Sequence, residues 1–162
     1  MLSCNRRVFL LGAAAVAGCG FTPAYGPNGS ARALQGQVLV QSPDSSDSYL
    51  MTRQLEDRLG RSSAPKYGLT YALDFVEEGM AISSTNITTR FNVVGKATYA
   101  LVDLETEQVL TSGVVNSFTG YSTTGSTVAT LAAERDARER LAVILADQVT
   151  TRLIAFSPEL PA

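Results

Sequence analysis

From Tyr67 to Phe75 every second residue is large and apolar: Tyr67, Leu69, Tyr71, Leu73 and Phe75 alternate with Gly68, Thr70, Ala72 and Asp74. A strand sends successive side chains to opposite faces, so a period of two predicts a sheet with one buried face. A polar stretch over 81–89 separates this strand from a second over 90–103. There Phe91, Val93, Ala97, Tyr99 and Leu101 share a face, and Arg90, Asn92, Lys96 and Thr98 lie opposite. Residues 104–107 read as a turn and 108–121 as the returning strand of a hairpin, whose facing the alternation leaves open. A short apolar run at 37–41 supplies a first strand.

Two helices complete the pattern. Ser45, Ser46 and Asp47 offer N-caps for a helix to about Leu59, in which Met51, Leu55 and Leu59 recur every fourth residue and Gly60 takes the stop position. A second helix is expected over 128–156. Leu131, Ala137, Leu141, Ile144, Leu145, Val149 and Leu153 mark its apolar stripe, Arg135, Asp136, Arg138 and Glu139 fall on the solvated side, and Pro158 ends it. At 1.5 Å per residue it is roughly 40 Å long, enough to cross a sheet. Strand, helix, three strands, helix is the order of an α+β fold: a four-stranded, largely antiparallel sheet with both helices packed on one face. The other face, carrying Thr70, Ala72, Asp74, Arg90, Asn92, Lys96 and Thr98, is expected to be polar.

The N-terminus follows a different rule. Arg6 and Arg7 are the only charges before residue 32, and the uncharged run at 8–17 is about half of the roughly 20 residues a membrane span needs. A positive start and a short apolar stretch mark an export signal. Val16-Ala17-Gly18-Cys19 then fits the lipobox of bacterial lipoprotein precursors. Small side chains let the peptidase reach the bond between Gly18 and Cys19, and the Cys19 thiol accepts a diacylglycerol. The expected organisation is a lipoprotein signal peptide over 1–18, a lipidated tether over 19–33, a single α+β domain over 34–156 and a C-terminal tail over 157–162. Residues 5–10 also resemble a twin-arginine export motif, so two export routes stay open.

Removing 18 of 162 residues leaves 144, enough for one domain with a sizeable core. Of the two cysteines, Cys4 leaves with the signal and Cys19 carries lipid, so the mature chain is expected to hold no disulfide. Taking Arg6 and Arg7 from 13 basic residues leaves 11 against 15 acidic ones, a charge of −4 that gives no reason to expect nucleic-acid binding. The absence of histidine excludes Ser-His-Asp and Cys-His catalysis and histidine-ligated metals in cis. Ser63 and Lys66 spell an S-x-x-K, but Pro65 opposes the helix that would bring them to one face, and the companion motifs are missing. No catalytic residue, metal site or cofactor is expected.

The segment Cys19-Gly-Phe-Thr-Pro-Ala-Tyr-Gly26 resembles the one that follows the lipobox in the LptE family of LPS-assembly lipoproteins. Leu131-Ala-Ala-Glu-Arg-Asp-Ala137, with Ala146-Asp-Gln-Val149, is similar to the final helix of its alphaproteobacterial members. The resemblance implies a non-enzymatic lipoprotein, lipid-anchored on the periplasmic side of the outer membrane, which assembles with a β-barrel LPS translocon, plugs its lumen and contacts LPS. A polar sheet face suits the polar interior of such a barrel. Gly20 after Cys19 is not an aspartate, which leaves outer-membrane sorting as the default. Arg90 and Lys96 fall on one face of one strand, about 20 Å apart at 3.3 Å per residue. Arginine binds phosphate in bidentate fashion and lysine as a point charge, so these two are the candidate contacts for the phosphates of lipid A. The competing reading is an auxiliary lipoprotein subunit of an ABC-type lipid transport system. Those usually show a tyrosine-leucine strand soon after the tether, where this chain has Pro27-Asn28-Gly29-Ser30.

Overall fold

A computed structural model describes residues 25–26, 29–82, 88–123 and 125–160, and the elements follow in the order the pattern predicts. They are β1 (Val38–Val40), α1 (Ser46–Leu59), β2 (Tyr67–Ile82), β3 (Thr88–Asp103), β4 (Val109–Ser122) and α2 (Thr127–Phe156). The export signal, the Gly18–Cys19 junction and the lipidation expected at Cys19 lie outside the described residues. The sheet runs β1-β2-β3-β4, with β1 parallel to β2 and the other pairs antiparallel. A parallel neighbour needs a crossover connection, and α1 supplies it.

The strands β2 and β3 are longer than the alternation suggests. Each has 16 residues, and their pairing continues through Ala81 opposite Arg90 to Ile82 opposite Thr88, inside the stretch read as a polar link. At about 3.3 Å per residue each spans roughly 50 Å. Their inward residues Tyr67, Leu69, Tyr71, Val93, Ala97, Tyr99 and Leu101 are buried together with Val115 of β4 and the apolar stripes of both helices.

Local chemistry starts and stops α1 where expected. The Ser45 hydroxyl accepts the Ser48 N–H at 3.2 Å and the Ser48 hydroxyl accepts the Ser45 N–H at 2.8 Å, a reciprocal cap. Gly60 ends the helix at φ +78, a conformation that costs a residue with a Cβ. Where α1 meets β2 the buried hydroxyls of Thr52 and Tyr71 are 2.6 Å apart, and Tyr71 donates to the Ser48 carbonyl at 2.8 Å. Burial, the first cause, pushes the Tyr71 phenol above its usual pKa.

The long helix departs from the expected stripe in three places. Ala137, Leu141, Leu145, Val149 and Leu153, spaced four apart, are fully buried. Leu131 is 49% exposed and Ile144 36% exposed, so neither belongs to the core. Leu131 lies six residues before Ala137, whose carbonyl accepts the Thr119 hydroxyl at 2.8 Å, and Ile144 lies beside the four-residue ridge rather than on it. Conversely, Arg138 is not a solvated side chain. It reaches Asp47 of α1 at 3.1 Å, Glu77 of β2 at 3.2 Å and Glu134 at 3.1 Å, clamping three elements together. By length and composition α2 could cross a bilayer, but its apolar stripe is taken up by the core.

Both flanks of the domain are tied down. Within the tether expected to reach residue 33, Ser30–Ala33 form a 3-10 turn, with Ala31 and Leu34 buried. Within the expected C-terminal tail, Ser157–Glu159 form another, and Leu160 packs against the core.

The β3–β4 turn carries the clearest pH dependence. Asp103, 6% exposed, accepts the N–H groups of Glu105 and Thr106 at 2.9 Å each. These bonds, the Thr106 one first, hold its carboxyl below the usual aspartate range. A carboxyl depressed on folding contributes stability that is complete above the unfolded pKa near ~3.9 and drains away as pH falls through the folded value. Asp103→Asn is expected to lower the melting temperature at pH 7 and to flatten its fall between pH 5 and 2.5. Parallel melting profiles for the two proteins across that range would contradict this role.

Candidate functional site

With both helices on one side of the sheet, the other side is left uncovered among the described residues. The strand register orders this outward face into rows across β2, β3 and β4. After the row Gly68–Val102–Val109 at the β3–β4 turn come Thr70–Ala100–Ser112 and Ala72–Thr98–Val114, where Thr70, Ala72, Thr98, Ala100 and Ser112 line a shallow depression of about 340 Å³. Asp74–Lys96–Asn116, Val76–Val94–Phe118 and Glu78–Asn92–Gly120 follow, and Arg90 beside Ser122 lies closest to the tip of the β2–β3 hairpin.

Arg90 and Lys96 are thus on one face, as their spacing requires, and both are exposed. Their surroundings differ. Lys96 stands directly opposite Asp74 on the neighbouring strand, so a carboxylate shares its immediate surroundings. Arg90 has Ala81 on one side and Ser122 on the other, and lines a depression of about 360 Å³ with Asn92, Phe118, Gly120 and Tyr121. The face expected from the sequence held one acidic residue, Asp74, and the register requires a second to be added, Glu78. Asp74 and Glu78 share the face and bring its charge to balance.

The expectation of a wholly polar face needs correcting as well. Val76 is 51% exposed, Phe118 63% and Val114 42%, and the row Val76–Val94–Phe118 forms an apolar band across all three long strands. Residues 113–121 carry large apolar groups at both phases, with Val115 and Tyr121 inward and Val114 and Phe118 outward, so alternation could not orient β4. A register shift between Leu101 and Val102 changes the phase again near Val109.

On the inward side of the same end, Phe91 and Tyr121 stack with centroids 5.5 Å apart. Tyr121 lies 3.4 Å from Glu77, which also holds Arg138. Burial first, and then the Glu77 charge, raise the Tyr121 pKa. This cluster braces the hairpin end and offers no acid-base pair aimed at a cavity. Ser63 and Lys66 lie in the irregular link before β2, not on a helix. Among the described residues no group of three or more cysteine, aspartate and glutamate side chains is placed to hold a metal ion.

The family model of LptE, described as lipopolysaccharide-assembly, matches residues 36–153, from the entry to β1 to the last buried turn of α2. The chain belongs to the LptE family. Its fold is shared by solved lipoproteins. One from Caulobacter crescentus is 22% identical, with a TM-score of 0.70 over 82% of this chain and 98% of that one. The rare lipoprotein B of Shewanella oneidensis is 8% identical, with a TM-score of 0.59 over 76% and 96%. A minor lipoprotein of Acinetobacter baumannii is 17% identical, with a TM-score of 0.55 over 75% and 93%. No curated protein matches the chain by sequence. Membership of the LptE family gives the chain a role in LPS assembly and an association with the LPS transport machinery.

Proposed function

We propose that this LptE-family chain is an outer-membrane lipoprotein, anchored through Cys19 on the periplasmic side, that assembles with and plugs the β-barrel LPS translocon and assists LPS insertion into the outer leaflet. The observation that carries the reading is the family match over 36–153, and the uncovered sheet face supplies the surface. A barrel lumen is polar, and apart from Val114, the row at the β3–β4 turn and the Val76–Val94–Phe118 band the outward face carries Thr, Ser, Ala, Asn and two charges of each sign. Strands of about 50 Å exceed the apolar band of an outer-membrane barrel, about 25 Å tall, so a domain standing upright in the lumen reaches through it.

Orientation follows from the chain path. Residues 36 and 37 enter where the Gly36 N–H donates to the Leu59 carbonyl at 2.7 Å and the Lys66 N–H to the Gln37 carbonyl at 2.9 Å. Leu104 donates to the Lys66 carbonyl at 3.0 Å, so the β3–β4 turn is at that same end. In this reading an anchor at Cys19 puts the β3–β4 turn at the periplasmic end of the lumen and the β2–β3 hairpin toward the outer leaflet. Arg90, thirteen residues from Asp103, is then about 40 Å from the anchored end.

In this reading the phosphates of lipid A meet Arg90 more readily than Lys96, whose charge Asp74 offsets. Each exposed contact contributes about 1 kcal/mol and is screened by salt. Arg90→Ala with Lys96→Ala is expected to weaken binding of the protein to LPS severalfold, more at low salt, with Arg90→Ala accounting for most of the loss. The melting temperature should not move. Unchanged LPS binding by a folded double variant would leave both residues as ordinary surface.

Depletion tests the function as a whole. Loss of the chain should lower the amount of correctly folded LPS-translocon barrel and raise sensitivity to large hydrophobic antibiotics. Normal barrel and surface LPS alongside failed inner-membrane lipid transport would replace this reading with that of an ABC-system auxiliary subunit.

A further inference from the structure

The two edges of the sheet are treated differently. On one side β1 has only three residues, and β2 continues past it with Asp74, Glu77 and Glu78 along its length. The first backbone group beyond β1, the Tyr71 N–H, is taken by the Gln41 side chain at 3.3 Å. Short strands, charges and side-chain covers are the usual protections of an edge against another chain. The opposite edge is β4, fourteen residues with no charge and no proline.

The register shows which groups β4 offers. The Thr123 N–H donates to the Thr89 carbonyl at 3.0 Å, and these residues are opposite each other one step beyond the pair of Arg90 and Ser122. Hydrogen-bonded pairs alternate along an antiparallel ladder, so the odd-numbered residues 113–121 bond to β3 and the even-numbered ones direct their N–H and C=O outward. The Arg140 guanidinium reaches over and takes one of these, the Gly120 carbonyl, at 3.2 Å. Among the described residues no strand lies beyond β4. That leaves Ser112, Val114, Asn116 and Phe118, about 20 Å of unprotected edge at 3.3 Å per residue.

We infer that this open edge of β4 is a strand-addition site, taking an extended, uncharged segment of the barrel partner as a fifth strand. The inference rests on the barrel reading above and names the surface that reading uses. Strand addition draws affinity from main-chain bonds and specificity from pockets for alternate side chains. Here Val114 and Phe118 stand on the outward face on either side of Asn116, ready for cross-strand apolar partners. A second copy of the chain is the poorer occupant. A symmetric pairing of β4 with itself is antiparallel, which sends the two anchored ends in opposite directions, and one leaflet cannot hold both.

Amide hydrogen exchange on the full lipoprotein, alone and as the complex recovered in mild detergent, tests this. The N–H groups of residues 112, 114, 116 and 118 should exchange quickly in the free protein and at least tenfold more slowly in the complex. Asn116→Pro, which deletes an outward N–H and none directed at β3, should reduce recovery of the barrel, whereas Asn116→Ala should not. A complex that forms while these amides exchange at the free rate overturns strand addition and leaves the barrel reading intact. Protection already present in the free protein overturns it too, by a second copy if it grows with concentration and by the chain's own residues if it does not. Failure to recover any barrel overturns both.

Discussion

Leu141→Ala is expected to lower the stability of the domain by about 2–5 kcal/mol, because the side chain is fully buried and truncating it leaves a cavity where α2 crosses the sheet. The same contact explains a glycine in the middle of the central strand. A methyl group placed on Gly95 would meet Leu141 Cδ2 at 2.8 Å and Phe75 Cε1 at 2.9 Å. Alanine is the better strand residue by propensity, yet Gly95→Ala should cost about 1–3 kcal/mol through overpacking. Because one substitution makes room for the other, the double variant should lose less than the two single losses combined. Urea unfolding with an unchanged m-value checks this, and strictly additive losses would mean that Gly95 and Leu141 do not share the space.

The largest functional loss is expected from Cys19→Ser. A serine hydroxyl cannot take the place of the thiol in lipidation, and a diacylglycerol supplies the two acyl chains that stable anchoring needs. The variant should leave the membrane fraction and fail to restore the outer-membrane barrier when the native chain is depleted. Mass spectrometry of the native protein should find the mature N-terminus at a lipidated Cys19. A mature N-terminus elsewhere with a free thiol would remove both the anchor and the orientation built on it.

The inward face was legible because its alternation is strict: Tyr67, Leu69 and Tyr71 on β2 and Val93, Ala97 and Tyr99 on β3 sit where a period of two puts them. Helix boundaries were legible from Ser45, Gly60 and Pro158, whose local chemistry acts without the rest of the fold. The outward face was not. Whether Val114 or Val115 points inward depends on the β4 register and on the shift near Leu101, which are tertiary facts. The pairing of Lys96 with Asp74 joins residues 22 positions apart, and the Arg138 clamp joins Asp47 of one helix to another 91 positions away. Linear spacing carries neither. The open edge of β4 depended on knowing the strand order, since an uncharged strand in the middle of a sheet would have no such consequence.

The proposed working place of this LptE-family chain is the inside of an outer-membrane barrel. The most direct test is purification of the tagged, lipidated protein from membranes in mild detergent, with its bound partner identified and the stoichiometry measured. One β-barrel LPS translocon per chain is expected, retained through salt washes because most of the contact is uncharged. Recovery of inner-membrane ABC-transport subunits instead, or of the lipoprotein with no barrel at all, would contradict it.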